Sequence, residues 1–215
     1  MDLRKINLFK NLSDEDLNLL KKKTLIEEVT FSKGDHIFRL GDKSNDFYYL
    51  IRGHVSVYQI DSNGKRFIFQ SINKSVVFGE VYAYLNIPFD FSAKAEEDSK
   101  VLIIRDFRKL FIEPTPRAFL TNFIDVIANK TMKLSKRNQI TSQVSLRQKI
   151  AKFLLENEKD NLVNLKMTRE DLADYLSTTR PSVSRELSSM VDDGLIKIQG
   201  RKIGLIDKKS LKNIL

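Results

Sequence analysis

Cysteine is absent from all 215 residues. That excludes disulfides, zinc ribbons, thiolate-held iron–sulfur clusters and cysteine nucleophiles. The two histidines, His36 and His54, form no metal-spaced pair, so no metal site is expected. A Gly-rich phosphate loop and a nucleophile elbow are also missing, which argues against an enzyme and assigns no catalytic residue. No run of about 18 apolar residues occurs, so no membrane partner or span is expected. Met1-Asp2-Leu3-Arg4-Lys5 leads into no apolar signal core, and the expected location is the cytoplasm. The length allows one large domain or two small ones.

What is present is a lopsided charge. The chain carries 37 Lys+Arg against 28 Asp+Glu, net +9. Residues 1–106 hold 16 basic and 16 acidic side chains; residues 107–146 hold 7 and 2, and residues 147–215 hold 14 and 10. The whole excess therefore lies in the second half, which suggests an acidic polymer bound at one end of the molecule. Solubilisation of a long helix would also account for it, so motifs must decide.

Ser13, the acids Asp14-Glu15-Asp16 and then Leu17, Leu19 and Leu20 predict a capped short helix. From Val29 to Ile104 the pattern becomes short strands. Five of the eight glycines (Gly34, Gly41, Gly53, Gly64, Gly79) punctuate it. Val55 and Val57 alternate with Ser56 and Tyr58 as in a half-buried strand. Asn63-Gly64, before Phe67-Ile68-Phe69, is a two-residue hairpin signal. An antiparallel barrel or roll is expected here.

Beyond Pro114 and Pro116, Leu120, Ile124, Ile127, Thr131, Leu134, Asn138 and Thr141 recur at alternating steps of four and three. Such a heptad seam favours a homodimer, although a helix docked on its own domain shows similar spacing. Phe119, Phe123 and Val126 widen the apolar face, so the helix is expected to serve both. The polar members Thr131, Asn138 and Thr141 suit a dimer able to shift register. After Ser145 come one helix around Ile150, Phe153 and Leu154, and a second opened by the capping box Thr168-Arg169-Glu170-Asp171. A turn at Ser177-Thr178-Thr179 leads to a third helix ending near Asp192 and Gly194. Ile196 and Ile198 then face Ile203 and Leu205 across Gly200-Arg201 as a hairpin.

Two helices on a tight turn followed by a hairpin form a winged helix-turn-helix pattern. On the third helix, Val183, Leu187 and Met190 share one face, and Arg185 lies about 160° from Val183 and Leu187. Pro181, Ser182, Ser188 and Ser189 share its side. An outer face of arginine and small hydroxyls can enter a groove, with Arg185 forking onto guanine and Ser182 or Ser184 reaching bases or phosphates. Thr178 or Thr179 can cap the helix, whose N-terminus also favours a phosphate. Arg201 and Lys202 at the hairpin tip suit the DNA backbone.

The chain resembles the Crp/Fnr family of bacterial transcription regulators. The likeness rests on Lys33-Gly34-Asp35-His36-Ile37-Phe38, Gly41-Asp42, Tyr49-Leu50-Ile51-Arg52-Gly53 and Phe78-Gly79-Glu80. It continues in Thr168-Arg169-Glu170-Asp171-Leu172-Ala173 and Thr179-Arg180-Pro181-Ser182-Val183-Ser184-Arg185-Glu186-Leu187. The resemblance implies an α+β chain of three parts. A cyclic-nucleotide-binding-type antiparallel β-roll with an N-terminal helix would span 1–115, a long dimerisation helix 116–144 and a C-terminal winged helix-turn-helix 145–215. It implies a sequence-specific regulator binding a pseudo-palindrome of duplex DNA as a homodimer. A small-molecule effector, not identified, would act on the roll, and RNA polymerase would be a partner if the protein activates. The DNA-binding residues would be Thr168, Thr179, Arg180, Ser182, Ser184, Arg185, Ser188, Arg201 and Lys202. The effector pocket would draw on Gly79, Glu80, Val81, Phe91, Ser92, Ala93 and Thr131, and the dimer seam on Leu120, Ile124, Ile127, Thr131 and Leu134.

The departures bear on the effector. Cyclic-nucleotide-binding relatives follow Phe-Gly-Glu with Arg-Ser/Thr-Ala, the arginine neutralising the phosphate. Here Ser92-Ala93 are present but Phe91 takes the arginine's place. A phosphate facing Phe91 keeps a desolvation cost of several kcal/mol, and cyclic AMP is not the expected effector. Lys94 is near in sequence, but strand neighbours point to different faces. A cysteine-ligated iron–sulfur cluster is excluded by composition. Haem stays open, with His36 or His54 as axial ligand of a gas-sensing regulator. Phe78, Tyr82, Tyr84, Phe89 and Phe91 could instead line an apolar pocket for an aromatic or lipid-like ligand. On the reading helix, Pro181 replaces the family's usual glutamate, so the usual half-site cannot be carried over. A ligand-binding module with a helix-turn-helix that reads no DNA is the other alternative.

Overall fold

Ser13 opens the first helix, α1 (Asp14–Lys23), with a reciprocal capping box: its hydroxyl accepts from Asp16 N at 3.0 Å and the Asp16 carboxylate accepts from Ser13 N at 3.3 Å. Acids fill its first turn and Lys21, Lys22 and Lys23 its last, matching the helix dipole at both ends. The computed structural model describes the chain except Met1, Ser44, Asn63, Lys65 and Lys74 and the side chains of Phe67 and Phe69. The chain divides into two compact units, Met1–Ile127 and Ala128–Leu215.

Among the described residues, eight strands build the first unit: β1 (Ile26–Phe31), β2 (His36–Phe38), β3 (Phe47–Arg52), β4 (Val55–Ile60), β5 (Arg66–Ile72), β6 (Val77–Phe78), β7 (Ser92–Ala95) and β8 (Ser99–Ile104). They form two antiparallel sheets, ordered β1-β8-β3-β6 and β2-β7-β4-β5. The two-residue period of β3 and β8 explains how both of their faces are buried. Tyr48, Leu50, Val101 and Ile103 join Phe38, Val55, Val57 and Ala93 of the other sheet in one core. Phe47, Tyr49, Leu102 and Ile104 point the other way, onto α1, the N-terminal turns and Phe119.

Three expectations change. β4 is not half-buried: Val55, Ser56, Val57 and Tyr58 are all buried. Ser56 and Tyr58 tolerate burial because the Ser56 hydroxyl bonds Glu96 and Arg66, while the Arg66 guanidinium lies 4.0 Å above the Tyr58 ring. The β4–β5 connection is longer than two residues. Ile60 pairs with Arg66, leaving 61–65 between them, and Gly64 N donates to Asp61 O at 3.0 Å. Asn63 of that signal lies outside the described residues. Finally, a short helix, α2 (Glu80–Leu85), interrupts the strands directly after Gly79.

The long helix, α3 (Arg117–Thr141), is continuous, and the division between the units falls within it. Its first turns dock on the first unit through Phe119 and Phe123, whose rings meet Phe111 at 5.2 and 4.8 Å. Ile124 stays 65% exposed.

The second unit holds α4 (Leu146–Asn157), β9 (Leu162–Asn164), α5 (Arg169–Tyr175), α6 (Arg180–Asp192), β10 (Ile196–Gln199), β11 (Lys202–Leu205) and α7 (Lys208–Asn213). The wing is not a lone hairpin, because β9 pairs with β11 to give the order β10-β11-β9. Three residues, the last an asparagine and another asparagine just before the first, carry too little pattern to announce a strand. Gly194, at φ +71, closes α6: its N–H bonds Val191 O and the next N–H bonds Met190 O, the paired bonds of a Schellman ending. Among the described residues no helix is long and apolar enough to cross a membrane.

Candidate nucleic-acid interface and effector site

The helix-turn-helix is assembled from local bonds. Thr168 caps α5 in a capping box, its hydroxyl accepting from Asp171 N at 3.1 Å while the Asp171 carboxylate accepts from Thr168 N at 2.8 Å. Ser177 ends the helix in the left-handed region at φ +55, where a non-glycine residue costs about 1–2 kcal/mol. Thr178 N then bonds back to Ala173 O at 2.9 Å and turns the chain into α6.

α6 separates its two faces cleanly. Val183, Leu187 and Met190 are buried with Ile150, Leu154 and Leu172 in the core of the unit. Arg180, Ser184, Arg185 and Ser188 are exposed and Ser182 is half-buried. Thr179 makes no side-chain capping bond. Its hydroxyl meets Ser182 Oγ at 2.9 Å instead, leaving the first-turn N–H groups of α6 without a side-chain cap. Ser189 does not remain on the free outer side, because Arg147 of α4 donates to it at 2.9 Å. The same arginine bonds Glu186 at 2.7 Å and Asp193 at 2.6 Å. Arg147 therefore tethers one flank of α6, and Ser184, Arg185 and Ser188 remain open. Arg201 and Lys202 stand exposed at the β10–β11 turn.

Sequence reasoning passed over Arg169. It is half-buried on α5, its Nη1 has no hydrogen-bond partner among the described residues, and burial pushes its guanidinium down from its ordinary value. It directly follows Thr168, the cap of α5. The only sequence signal for it was its place directly after the cap. Arg147 could not have been found, since its partners lie far along the chain.

In the first unit, Gly79 stands at φ +76, and a Cβ there would come within 3.0 Å of Tyr48 Cδ2 and 3.4 Å of Phe89 Cε1. Glycine is favoured on both counts. Glu80 is 3% exposed at the start of α2, whereas Val81 is 43% exposed. Phe91 packs among Phe38, Tyr82 and Phe89, with ring centroids 5.7, 5.0 and 5.9 Å away. Phe38 and Phe89 stack at 3.7 Å. Ser92 Oγ accepts from Leu40 N at 3.0 Å, and Ala93 is buried opposite Phe38. Gly79, Phe91, Ser92 and Ala93 thus gather around one aromatic cluster. Tyr84 belongs to another, against Phe111 at 4.9 Å and Phe123 at 5.4 Å, and Thr131 is an exposed residue of α3 in the second unit.

The surroundings of Phe91 are aromatic and acidic. Beside Phe91, the Asp90 carboxylate accepts from Tyr82 Oη at 2.6 Å, and burial together with this bond pushes the Tyr82 phenol up to about 12. A phosphodiester against Phe91 would face the Asp90 carboxylate and aromatic rings, none of which supplies a counter-charge. Both histidines are hydrogen-bonded within the roll. His36 Nε2 lies 2.8 Å from Tyr58 Oη and its Nδ1 3.4 Å from Arg39 Nη2. His54 Nε2 is taken by Ser71 Oγ at 2.7 Å.

Comparison with known proteins matches both units. A model of the Crp-like helix-turn-helix domain covers residues 148–214, and one of the cyclic nucleotide-binding domain covers residues 28–113. The Anaerobic regulatory protein of Bacillus subtilis is 25% identical over 199 residues, covering 86% of this chain and 84% of that protein. The Nitrogen fixation regulation protein FixK of Bradyrhizobium diazoefficiens is 28% identical over 193 residues, 83% of this chain and 78% of that one. A CooA mutant from Carboxydothermus hydrogenoformans shares the fold, with a TM-score of 0.68 at 21% identity over 100% of this chain and 96% of that one. With both domains matched in order and relatives aligned along most of its length, the chain belongs to the Crp/Fnr family of DNA-binding transcription regulators.

Proposed function

We propose that this regulator works in the cytoplasm as a homodimer on a pseudo-palindromic operator, each α6 entering a major groove about 34 Å from its counterpart. The observation that carries the reading is the division of α6. Its inner face is closed in the core, while Arg180, Ser184, Arg185 and Ser188 stand exposed. Arg185 and Arg180 would fork onto guanine, Ser182, Ser184 and Ser188 would contact bases or phosphates, and Thr179 lies at the helix entrance. Thr168 and Arg169 would meet one phosphate at the start of α5, and Arg201 and Lys202 another at the wing. The seam of Leu120, Ile124, Ile127, Thr131 and Leu134 supports pairing, since Leu134 is 67% exposed in the single chain. The roll would respond to an uncharged small molecule rather than to a cyclic nucleotide, and an activating form would contact RNA polymerase.

Repeated selection from random duplex oligonucleotides tests this reading, with sedimentation of the protein alone and of the selected complex. An enriched inverted repeat bound by two chains is the expected result. No enrichment would leave a ligand-binding module, and an enriched single half-site bound by one chain would overturn the dimer.

A further inference from the structure

Arg137 lies in the second half of α3, within the unit that begins at Ala128. Its guanidinium donates twice to the end of α5, from Nε to Tyr175 O at 3.1 Å and from Nη2 to Asp174 O at 2.8 Å. Carbonyls in the last turn of a helix have no intrahelical partner, and a cation there also complements the helix dipole. The guanidinium stands 5.3 Å from the Tyr175 ring centroid, and that ring meets Phe153 of α4 edge-on at 5.5 Å. Three residues further along α3, Ile140 is 1% exposed in the same core. This stretch of α3 is therefore gripped by the helix-turn-helix, and the grip falls where the chain turns from α5 into α6.

The same stretch carries part of the proposed seam. At about 100° per residue, Leu134, Asn138 and Thr141 share one stripe, and Arg137 and Ile140 share another centred roughly 95° around the helix. Leu134 and Asn138 are exposed. One rigid segment thus presents one face to a second chain and another to its own α5.

We infer that Arg137 is a positioning residue for operator reading: it locks α5 and α6 to the rotation of the dimer seam, so that the pairing of two chains sets the spacing of half-sites they accept. The inference rests on the dimeric reading above. A side chain that merely capped α5 would change stability and leave spacing preference untouched, which separates the two roles.

The experiment uses the full chain and operators taken from the selection, with the matched half-site spacing or with one base pair added at the centre. One pair shifts a half-site by about 3.4 Å and turns it by about 34–36°. The wild type should lose roughly tenfold or more in affinity on the added pair. Arg137→Ala should narrow that ratio to about threefold or less while binding an isolated half-site as the wild type does, with dimer and circular dichroism unchanged. Arg137→Met keeps the apolar stem and serves if the alanine variant unfolds; it should behave alike. Arg137→Lys, able to reach one carbonyl rather than two, should lie between. A variant that keeps the full wild-type ratio overturns the inference. A wild type indifferent to the second half-site overturns the dimeric reading itself, and the inference with it.

Discussion

The Phe91 ring meets the Tyr82 ring edge-on at 5.0 Å, while the Tyr82 hydroxyl donates to the neighbouring Asp90 carboxylate at 2.6 Å. The position that would hold a phosphate's counter-charge thus holds an aromatic ring and a negative group. Isothermal titration of the wild type with cyclic AMP should give no binding. Replacing Phe91→Arg and Asp90→Asn together supplies the cation and removes the opposing charge. A charge-assisted bond contributes about 1.5–3 kcal/mol, so the double variant should bind at least roughly tenfold tighter than either single one. Micromolar binding by the wild type would sink this reading of the site.

Arg185 stands free on α6 with Val183 and Leu187 anchoring the opposite face. A forked contact to guanine is worth about 1–3 kcal/mol of discrimination. Arg185→Ala should therefore lower affinity for the selected operator about tenfold to hundredfold, bring it near the affinity for random duplex, and leave the sedimentation of the free protein unchanged. An unaltered footprint would remove Arg185 from the reading face.

Arg201 and Lys202 should behave differently, because they sit on a turn and not on the reading helix. Each neutralised phosphate contributes about one to the slope of affinity against salt on logarithmic axes. Arg201→Ala should weaken all sequences alike and shallow that slope by about one, with the preferred operator unchanged. A changed operator preference would mean that the wing reads bases.

The contrast between α6 and β9 shows what the sequence could tell. α6 was legible because its 13 residues repeat an apolar face every third or fourth position and end in a glycine suited to a left-handed close. The capping boxes at Ser13 and Thr168 were legible because their partners stand three residues away. β9 was not, since its pairing with β11 is decided by the core beneath it. The same holds for the candidate sites. Gly79 and Phe91 could be singled out by position, but only the fold shows that Phe38, Phe89 and Tyr82 close around Phe91. Arg137 and Arg147 act through partners 37 to 46 residues away, beyond any local pattern.

His36 offers a test of the roll's folding with pH. Burial first, then the cations Arg39, Lys94 and Arg66, holds its imidazole below the ordinary 6.5, with only Asp35 opposing. A group whose folded value is depressed leaves stability intact above the unfolded value; as pH falls below it, the unfolded chain takes up the proton first. Stability should therefore decline on acidification from about pH 7.5 to about 5.5, before most carboxylates titrate. Urea midpoints for the wild type and for His36→Gln at both pH values measure the effect. The glutamine variant can still bond Tyr58 and carries no titrating proton, so its midpoint should shift less. An equal shift in both proteins would place the pH dependence elsewhere, and a wild-type midpoint rising with acid would contradict the depressed imidazole.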